Sequence, residues 1–217
     1  MMLEALAVTD AITDIHQARQ ILNLQPAPDK AFFPEWQLGL PDLSELEKVH
    51  LDRLRDRYLY YAADGSISEG TVNTVMISPL LELLGFFDQP FKVRGEAFVR
   101  LTIATDDENS QLLRGRIDAL VVQNHLWIVV VEAKHFGFSV LQALPQTLTY
   151  MMANPRTDRP CFGMITTGED YLFVKVDRSH PEINLYGQSY KFTLLSDEMN
   201  DLYRVARVLK RIGSAIA

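Results

Sequence analysis

The spacing of apolar residues changes near residue 90 from a helical period to a strand-like period. Before that point, apolar positions recur every three or four residues, which predicts helices over residues 9–23, from 42 or 44 to about 63, and 68–85. The segment between the first two helices contains four prolines, which exclude a regular helix. We expect an extended connector there that packs through Phe32, Phe33 and Trp36.

Capping residues and glycines set the expected helix ends. Thr9 or Asp10 is the expected N-cap of the first helix and Ser68 that of the third, which Gly85 should close. Pro79 lies inside the third helix and is expected to kink or split it.

The second half of the chain predicts a sheet with few helices. Three apolar segments joined by short polar links, at residues 92–104, 111–122 and 125–134, predict an antiparallel meander. A helix over 139–154, interrupted by Pro145, should follow. Two strands around the turn at Gly168, an edge strand near 183–195 and a last helix, capped by Ser196 or Asp197 and running through Ile212, complete the prediction.

The second and third strands of the meander are apolar on both faces. Ile117, Ala119 and Val121 should share one face, and Leu120 and Val122 the other. A strand without a polar face is covered by helices on both sides. We therefore predict an α/β fold of the α+β type, with a mixed central sheet sandwiched between helices. Residues 1–42 form an N-terminal helix and connector, and residues 43–217 form the main domain.

Composition narrows the class of protein. The chain has 217 residues, of which 47% are apolar and 23% charged, the balance of a folded globular protein. No apolar run is long enough to span a bilayer, and the acidic N-terminus is not typical of a signal peptide. Cys161 is the single cysteine, so we expect no disulfides and a cytoplasmic location. The net charge of −7 argues against a protein that coats nucleic acid, but not against an enzyme with one local basic patch.

Three charged residues interrupt the apolar meander. Glu132 and Lys134 end its third strand and share a face, because side chains two apart on a strand point the same way. A two-residue turn at Asn124-His125 would pair Asp118 with Val131 and place the two carboxylates on opposite faces. A loop of odd length, or a bulge, would pair Asp118 with Glu132 directly. The sequence permits both arrangements.

Two carboxylates and an ammonium group at a strand end suit metal-assisted hydrolysis of a phosphodiester. Oxygen ligands select a hard cation such as Mg²⁺ or Mn²⁺. The cation lowers the pKa of a bound water, and a lysine can stabilise the charge that develops on the phosphate. A structural salt bridge is the alternative explanation of Glu132 and Lys134.

In these residues the chain resembles the PD-(D/E)xK nuclease superfamily, whose signature here is Asp118 followed by Glu132-Ala133-Lys134. It is similar in particular to the N-terminal nuclease domain of type I restriction enzyme R subunits. That branch adds Q-x-x-x-Y on the next helix, here Gln146 to Tyr150, and an earlier helical glutamate, here Glu69. The resemblance covers about residues 66–176 and implies a restriction-endonuclease-like fold.

The resemblance also implies roles for these residues. Asp118, Glu132 and the Ala133 carbonyl would hold the metal, with Glu69 acting directly or through water. Gln146 and Tyr150 would face the site and steady Lys134 or a DNA phosphate, and a core aromatic is the alternative role of Tyr150. Further DNA contacts are expected from the basic side chains on the strands, namely Lys92, Arg94, Arg114 and Arg116.

The sequence departs from the family pattern at two sites. Ile117 precedes the first acid where the signature has proline, and Pro145 stands directly before Gln146. The chain also contains no G-x-x-x-x-G-K-[ST] motif, so the ATP-driven motor of a complete R subunit is absent from it.

Three functional hypotheses remain open at this stage. The first is a metal-dependent deoxyribonuclease in restriction or DNA processing. The second is a non-catalytic module with the same fold that binds DNA or a restriction-system partner. The third, a structural protein that forms a homodimer, rests only on the charged helix 44–63 and the aromatic connector.

Overall fold

A mixed β-sheet occupies the centre of the computed structural model, which describes residues 5–104, 110–123, 126–135, 137–195 and 200–216. Nine strands belong to the sheet within these residues: β1 Ala5–Ala7, β2 Leu24–Pro26, β3 Phe91–Ala104, β4 Ser110–Gln123, β5 Leu126–Ala133, β6 Cys161–Thr166, β7 Asp170–Asp177, β8 Asn184–Gln188 and β9 Phe192–Thr193. The α-helices are α1 Val8–Ala11, α2 Ile15–Ile21, α3 Glu45–Ala62, α4 Glu69–Val72, α5 Ser78–Leu83, α6 Leu144–Met152 and α7 Leu202–Ile216. None of the described helices combines the length and apolar character needed to cross a membrane.

The order of the strands confirms the predicted meander. β3, β4 and β5 pair antiparallel in sequence, β6 then pairs parallel to β5, and β7 returns antiparallel. Because α6 connects β5 to β6, the sheet is mixed. The prediction of one edge strand near 183–195 is wrong, because β8 lies between β7 and β2, and β9 pairs separately with β7.

Two short strands near the N-terminus extend the sheet and were not predicted. β1 pairs parallel to β4, and β2 pairs parallel to β8. Each strand has only three residues, which is too short to show a period of two in the sequence. The single helix predicted over 9–23 is two helices, since Asp14 caps α2 by accepting the N–H groups of His16 and Gln17.

Helices cover both faces of the sheet, as the apolar strands required. One apolar cluster joins the sheet to α3, α4, α5 and α7. A second cluster, on the other face, joins it to α1, α2 and α6. The fold class predicted from the sequence, a mixed sheet between helical layers, is therefore confirmed.

The strand faces differ from the prediction at one residue. Ile117 packs with Leu120 and Val122 in one cluster, whereas Ala119 and Val121 pack in the other. The β3–β4 pair therefore bends at Asp118. The neighbouring strand contains the cause, because Glu96, opposite Asp118, has a left-handed backbone with φ 51°.

The helices that flank the meander end close to their predicted positions. Ser68 caps α4 through the N–H of Thr71, and Gly85 has φ 77° just beyond α5. A π-helical turn at Asn73–Ile77 separates α4 from α5, so the predicted helix is interrupted just before Pro79. The helix predicted over 139–154 is a 3₁₀ turn at Val140–Ala143 followed by α6, and the change falls next to Pro145, whose missing N–H costs little in the first turn of α6.

The helices α3 and α7 lie at the two ends of the predicted main domain. Ser44 and Glu47 form a capping box that starts α3 within the predicted range. Ser196 and Asp197, the predicted caps of the last helix, lie outside the described residues. α7 begins at Leu202 and continues to Ile216, beyond the predicted end.

A buried ion pair anchors the proline-rich connector to β7. Lys175 donates to Glu35 at 2.8 Å and to the Phe32 carbonyl at 2.9 Å. Its ammonium also lies 5.2 Å from the centre of the Phe32 ring and 5.7 Å from that of Phe162. These contacts explain why the aromatic connector packs on the core.

Removing one partner of this pair should be more costly than removing both. We expect Glu35→Ala to lower the free energy of unfolding by about 3 kcal/mol, because it leaves a buried ammonium without its counter-charge. The double variant Glu35→Leu/Lys175→Met should unfold close to wild type in urea. Equal losses in the single and double variants would contradict this account.

Candidate functional site

A β-bulge decides which residues of the β4–β5 hairpin meet. Next to the turn, Val122 pairs with Trp127, but the following pair is Val121 with Val129. Ile128 is therefore the extra residue of a bulge. Of the two arrangements that the sequence left open, the structure therefore has the second, in which a bulge aligns Asp118 with Glu132. Farthest from the turn, Ala119 pairs with Val131, so the next residues in the same register are Asp118 and Glu132.

The three signature residues form one contact group. The Asp118 Oδ2 atom accepts the backbone N–H of Ala133 at 2.7 Å. The Lys134 ammonium donates to Glu132 Oε1, also at 2.7 Å. Glu132 is only 2% exposed, and its second oxygen, Oε2, is buried with no hydrogen-bond partner among the described residues. A buried oxygen of this kind is costly and calls for an explanation.

Burial and mutual repulsion perturb the ionisation of the group. Burial raises the pKa of Glu132 to about 8, with the Lys134 charge offsetting part of this effect and the Asp118 charge adding to it. Burial also raises the pKa of Asp118, although its hydrogen bond from Ala133 acts in the opposite direction. For Lys134, burial opposes the charged form, but the facing Glu132 outweighs this and raises the pKa. Ionisable residues whose pKa values are shifted by burial and by neighbouring charges are typical of functional sites.

Glu69 is the first residue of α4, and its charge acts on all three signature residues. Its charge contributes to raising the pKa of Asp118, of Glu132 and of Lys134. Val72 and Met76, one turn and two turns further on, are buried against the sheet and hold the helix in this position. The predicted Glu69 is therefore within electrostatic range of the hairpin charges.

Gln146 and Tyr150 lie on α6, but they contact each other. Gln146 Nε2 donates to the Tyr150 hydroxyl at 2.8 Å, so its amide is not directed at Lys134. The Tyr150 side chain is buried at 3% exposure. A direct contact of Tyr150 with DNA, expected from the sequence, is at odds with this burial. The phenol instead lies close enough for the Glu132 charge to raise its pKa, after burial as the main cause.

Gly115 makes room for Tyr150, and sequence reasoning missed it. On the side of β4 away from β3, β1 pairs with residues up to Arg114 and β5 with residues from Ala119. The Tyr150 ring lies directly against Gly115, in the stretch of β4 between these two sets of pairs. A methyl group on Gly115 would overlap the ring. The available signal was a glycine inside a strand, which often marks close approach of another group.

The predicted basic residues all lie on the β3–β4 hairpin. Lys92, Arg94, Arg114 and Arg116 are all exposed, and Arg116 pairs with Glu96 at 3.4 Å. The charge of Arg116 also acts on Asp118, lowering the pKa that burial raises. The hairpin thus places positive charge next to the acidic group.

The donor set fits a hard divalent cation held by few protein ligands. Asp118 and Glu132 supply carboxylates, and Glu132 Oε2 lacks any other partner among the described residues. Across those same residues, no group of three or more His, Cys, Asp or Glu side chains is arranged to hold a metal. Glu69 is therefore not a direct third ligand here. One or two carboxylates with several waters is the usual coordination of Mg²⁺.

Of the comparisons with known proteins, the one with solved structures gives matches. No protein-family model matches the chain, and no curated protein does. One matching solved structure is a fragment described as an HsdR subunit of a type I restriction enzyme from Vibrio vulnificus YJ016. The two chains share 19% identity with a TM-score of 0.41, and the match covers 69% of this chain and 27% of that one. At these values the likeness carries no inference about chemistry.

Gly115→Ala should displace Tyr150 and lower the free energy of unfolding by about 1–3 kcal/mol, because the added methyl overlaps the ring. In the Tyr150→Ala background the same change should cost little, since the ring is absent. Gly95→Ala, on the facing strand with its nearest neighbour 4.0 Å away, is the matched control. Urea unfolding of the four variants measures the coupling, and additive losses would contradict it.

The raised pKa of Glu132 predicts how stability depends on pH without metal. Its pKa is raised from 4.5 to about 8, so between these values the folded chain keeps a proton that the unfolded chain loses. This contribution to stability is complete at low pH and is lost as pH rises towards 8. Wild-type protein in chelator should therefore lose thermal stability relative to Glu132→Gln over this range.

Glu182→Gln, at an exposed position, should follow the wild type in the same melting series. Melting curves of wild type and Glu132→Gln that run parallel across the range would show that Glu132 is ionised throughout.

Proposed function

We propose that this protein is a metal-dependent nuclease that hydrolyses DNA phosphodiester bonds, with Asp118, Glu132 and Lys134 at its centre. The supporting observation is the buried Glu132 carboxylate, which has one oxygen on the Lys134 ammonium and the other without a partner among the described residues. A divalent cation would relieve the cost of that oxygen and the repulsion from Asp118 and Glu69. The resemblance to PD-(D/E)xK nucleases of the type I restriction branch agrees with this assignment.

Each residue has a distinct task in this proposal. Asp118 and Glu132 would hold Mg²⁺ or Mn²⁺ together with the Ala133 carbonyl, and Glu69 would act through water. A divalent cation held there would lower the pKa of a bound water and neutralise charge on the phosphate. Lys134, fixed by its bond to Glu132, orients the attacking water and stabilises negative charge on the scissile phosphate.

Residues outside the charged group hold it in place. The Ala133 N–H fixes the Asp118 carboxylate. Tyr150 and Gln146 pack beside β4 and act as positioning residues, because the buried phenol accepts the Gln146 amide and its ring lies against Gly115. DNA is the proposed partner, and a partner subunit or a homodimer remains part of the hypothesis.

A second candidate, a non-catalytic module that binds DNA or a restriction-system partner, is favoured by one observation. Lys134 and Glu132 already satisfy each other at 2.7 Å, as they would in a structural salt bridge. In that case the charges would serve the fold alone, and a divalent cation would have no effect on stability.

Cleavage assays test the first candidate. Supercoiled and single-stranded DNA should be cut with Mg²⁺ or Mn²⁺ and not in chelator. Asp118→Ala should abolish cutting, because it removes a ligand to the ion. Asp158→Ala, which only breaks a surface pair with Arg156, is the matched control and should retain activity. Metal-dependent cleavage that persists in Asp118→Ala would place the activity elsewhere or in a contaminant.

Thermal melts separate the two candidates independently of cleavage. Above pH 8, where Glu132 is ionised in the wild type, Lys134→Ala should lower the free energy of unfolding by about 3 kcal/mol, because it leaves the buried carboxylates without a counter-charge. Added Mg²⁺ should recover much of this loss by binding the folded state. Asp118→Asn should melt at or slightly above the wild-type temperature, since it removes like-charge repulsion. If Asp118→Asn melts well below wild type and Mg²⁺ shifts none of the proteins, the charges form a structural salt bridge.

A further inference from the structure

Four side chains form a compact patch on the outward face of the β3–β4 hairpin. Arg100 pairs directly across the strands with Arg114, and Phe98 pairs with Arg116. Phe98 is 86% exposed, which makes it the most exposed large apolar side chain among the described residues. We refer to Phe98, Arg100, Arg114 and Arg116 as the hairpin patch.

The charges of the hairpin patch are not balanced within the sheet. β3 and β4 together contain five basic residues and two acidic ones, in a chain whose net charge is −7. Among the described residues, Arg116 has a salt bridge, to Glu96 at 3.4 Å, and Arg100 and Arg114 have none. Like charges directly opposite on neighbouring strands destabilise a sheet. A pair of facing arginines on an exposed surface is suited to an anionic ligand that contacts both.

Protection of a sheet edge does not account for the patch. β3 pairs only with β4 among the described strands, and exposed charges on such an edge commonly prevent aggregation. Arg114 and Arg116, however, lie on β4, which is an interior strand. An aromatic ring that is almost fully exposed on the edge strand would promote association instead of preventing it.

The patch is continuous with the charged group of the candidate site. Arg114 and Arg116 share a face of β4, and Asp118 follows Arg116 by two residues, at the bend of the strand. The Arg116 charge acts on Asp118. A polyanion lying along the patch would therefore approach Asp118 end-on.

We propose that the hairpin patch binds an unpaired stretch of DNA, with Phe98 stacking on a base and the three arginines contacting phosphates, and leads that strand to Asp118. This inference rests on the proposed nuclease function and names its substrate class. An exposed phenylalanine can stack only on a base whose face is open, and bases inside a duplex are covered by their neighbours. Stacking on aromatic side chains within a positively charged groove is the general mode of single-strand binding.

Binding measured in chelator, where no cleavage occurs, tests the inference. The probes are a fluorescent oligothymidine of about 20 nucleotides, which exceeds the usual footprint of one such surface, and a duplex of the same length. Phe98→Ala should weaken single-strand binding about tenfold or more, as expected for one lost stacking contact, and Phe98→Trp should retain it. The salt dependence should not change in Phe98→Ala, because no phosphate contact is lost.

The arginine variant should change the salt dependence of binding, which Phe98→Ala leaves unchanged. Arg100→Ala/Arg114→Ala should reduce the slope of log affinity against log salt by about 1.4, since each phosphate contact to a single strand contributes about 0.7. Leu38→Ala, an exposed apolar residue in the connector, and Arg156→Ala/Arg159→Ala, before β6, are the matched controls. All controls should bind as wild type.

The outcomes distinguish this inference from the proposed function. If Phe98→Ala binds single strands as wild type does, or if duplex is bound more tightly than single strand, the inference is overturned even when metal-dependent cleavage is present. If the patch variants lose single-strand binding but no cleavage occurs with any metal, the nuclease proposal fails and the binding surface stands.

Discussion

The hydrogen bond from the Ala133 N–H to the Asp118 carboxylate is the interaction on which the candidate site depends. It lies just beyond the last recorded backbone pair between β4 and β5, so a side chain takes over the role of the backbone ladder at this point. The bond joins Asp118 on β4 to Ala133, the residue between Glu132 and Lys134. β5 is held on its other side by its parallel pairing with β6, which extends to Ala133 and Thr166. The three charges are therefore fixed by the sheet itself.

The chain contains a second buried ion pair, and the contrast between the two is informative. Glu35 and Lys175 pin the connector, and the ammonium of that pair is also bound by a carbonyl and two aromatic rings. Each pair leaves one carboxylate oxygen without a partner among the described residues. The pair of Glu132 and Lys134 differs in its surroundings, because further acids repel it. A sheet packed by helices on both faces makes such repulsion costly, and the two apolar clusters must offset that cost.

The sequence predicted those parts of the structure that have a local or periodic signal. The meander and the helices around it follow from apolar spacing, and caps such as Ser44 and Ser68 fix their starts. The strands β1 and β2 were missed because three residues carry no period. The approach of Tyr150 to Gly115 was missed because it joins residues far apart in the chain. The face of Ile117 was predicted wrongly because the backbone of Glu96, on another strand, bends the pair.

The bulge at Ile128 gives the hairpin an unusual relation to insertions and deletions. Because side chains alternate along a strand, loss of one residue there would turn Glu132 and Lys134 to the opposite face of the sheet while leaving every residue type unchanged. Loss of two residues from the same hairpin would keep their orientation. An insertion or deletion of an even number of residues in this segment would therefore keep Glu132 and Lys134 on their face of the sheet, whereas an odd number would reverse them. A lineage descended from this chain could lose its charged centre through a single in-frame codon deletion, and regain it through an insertion one or two positions away.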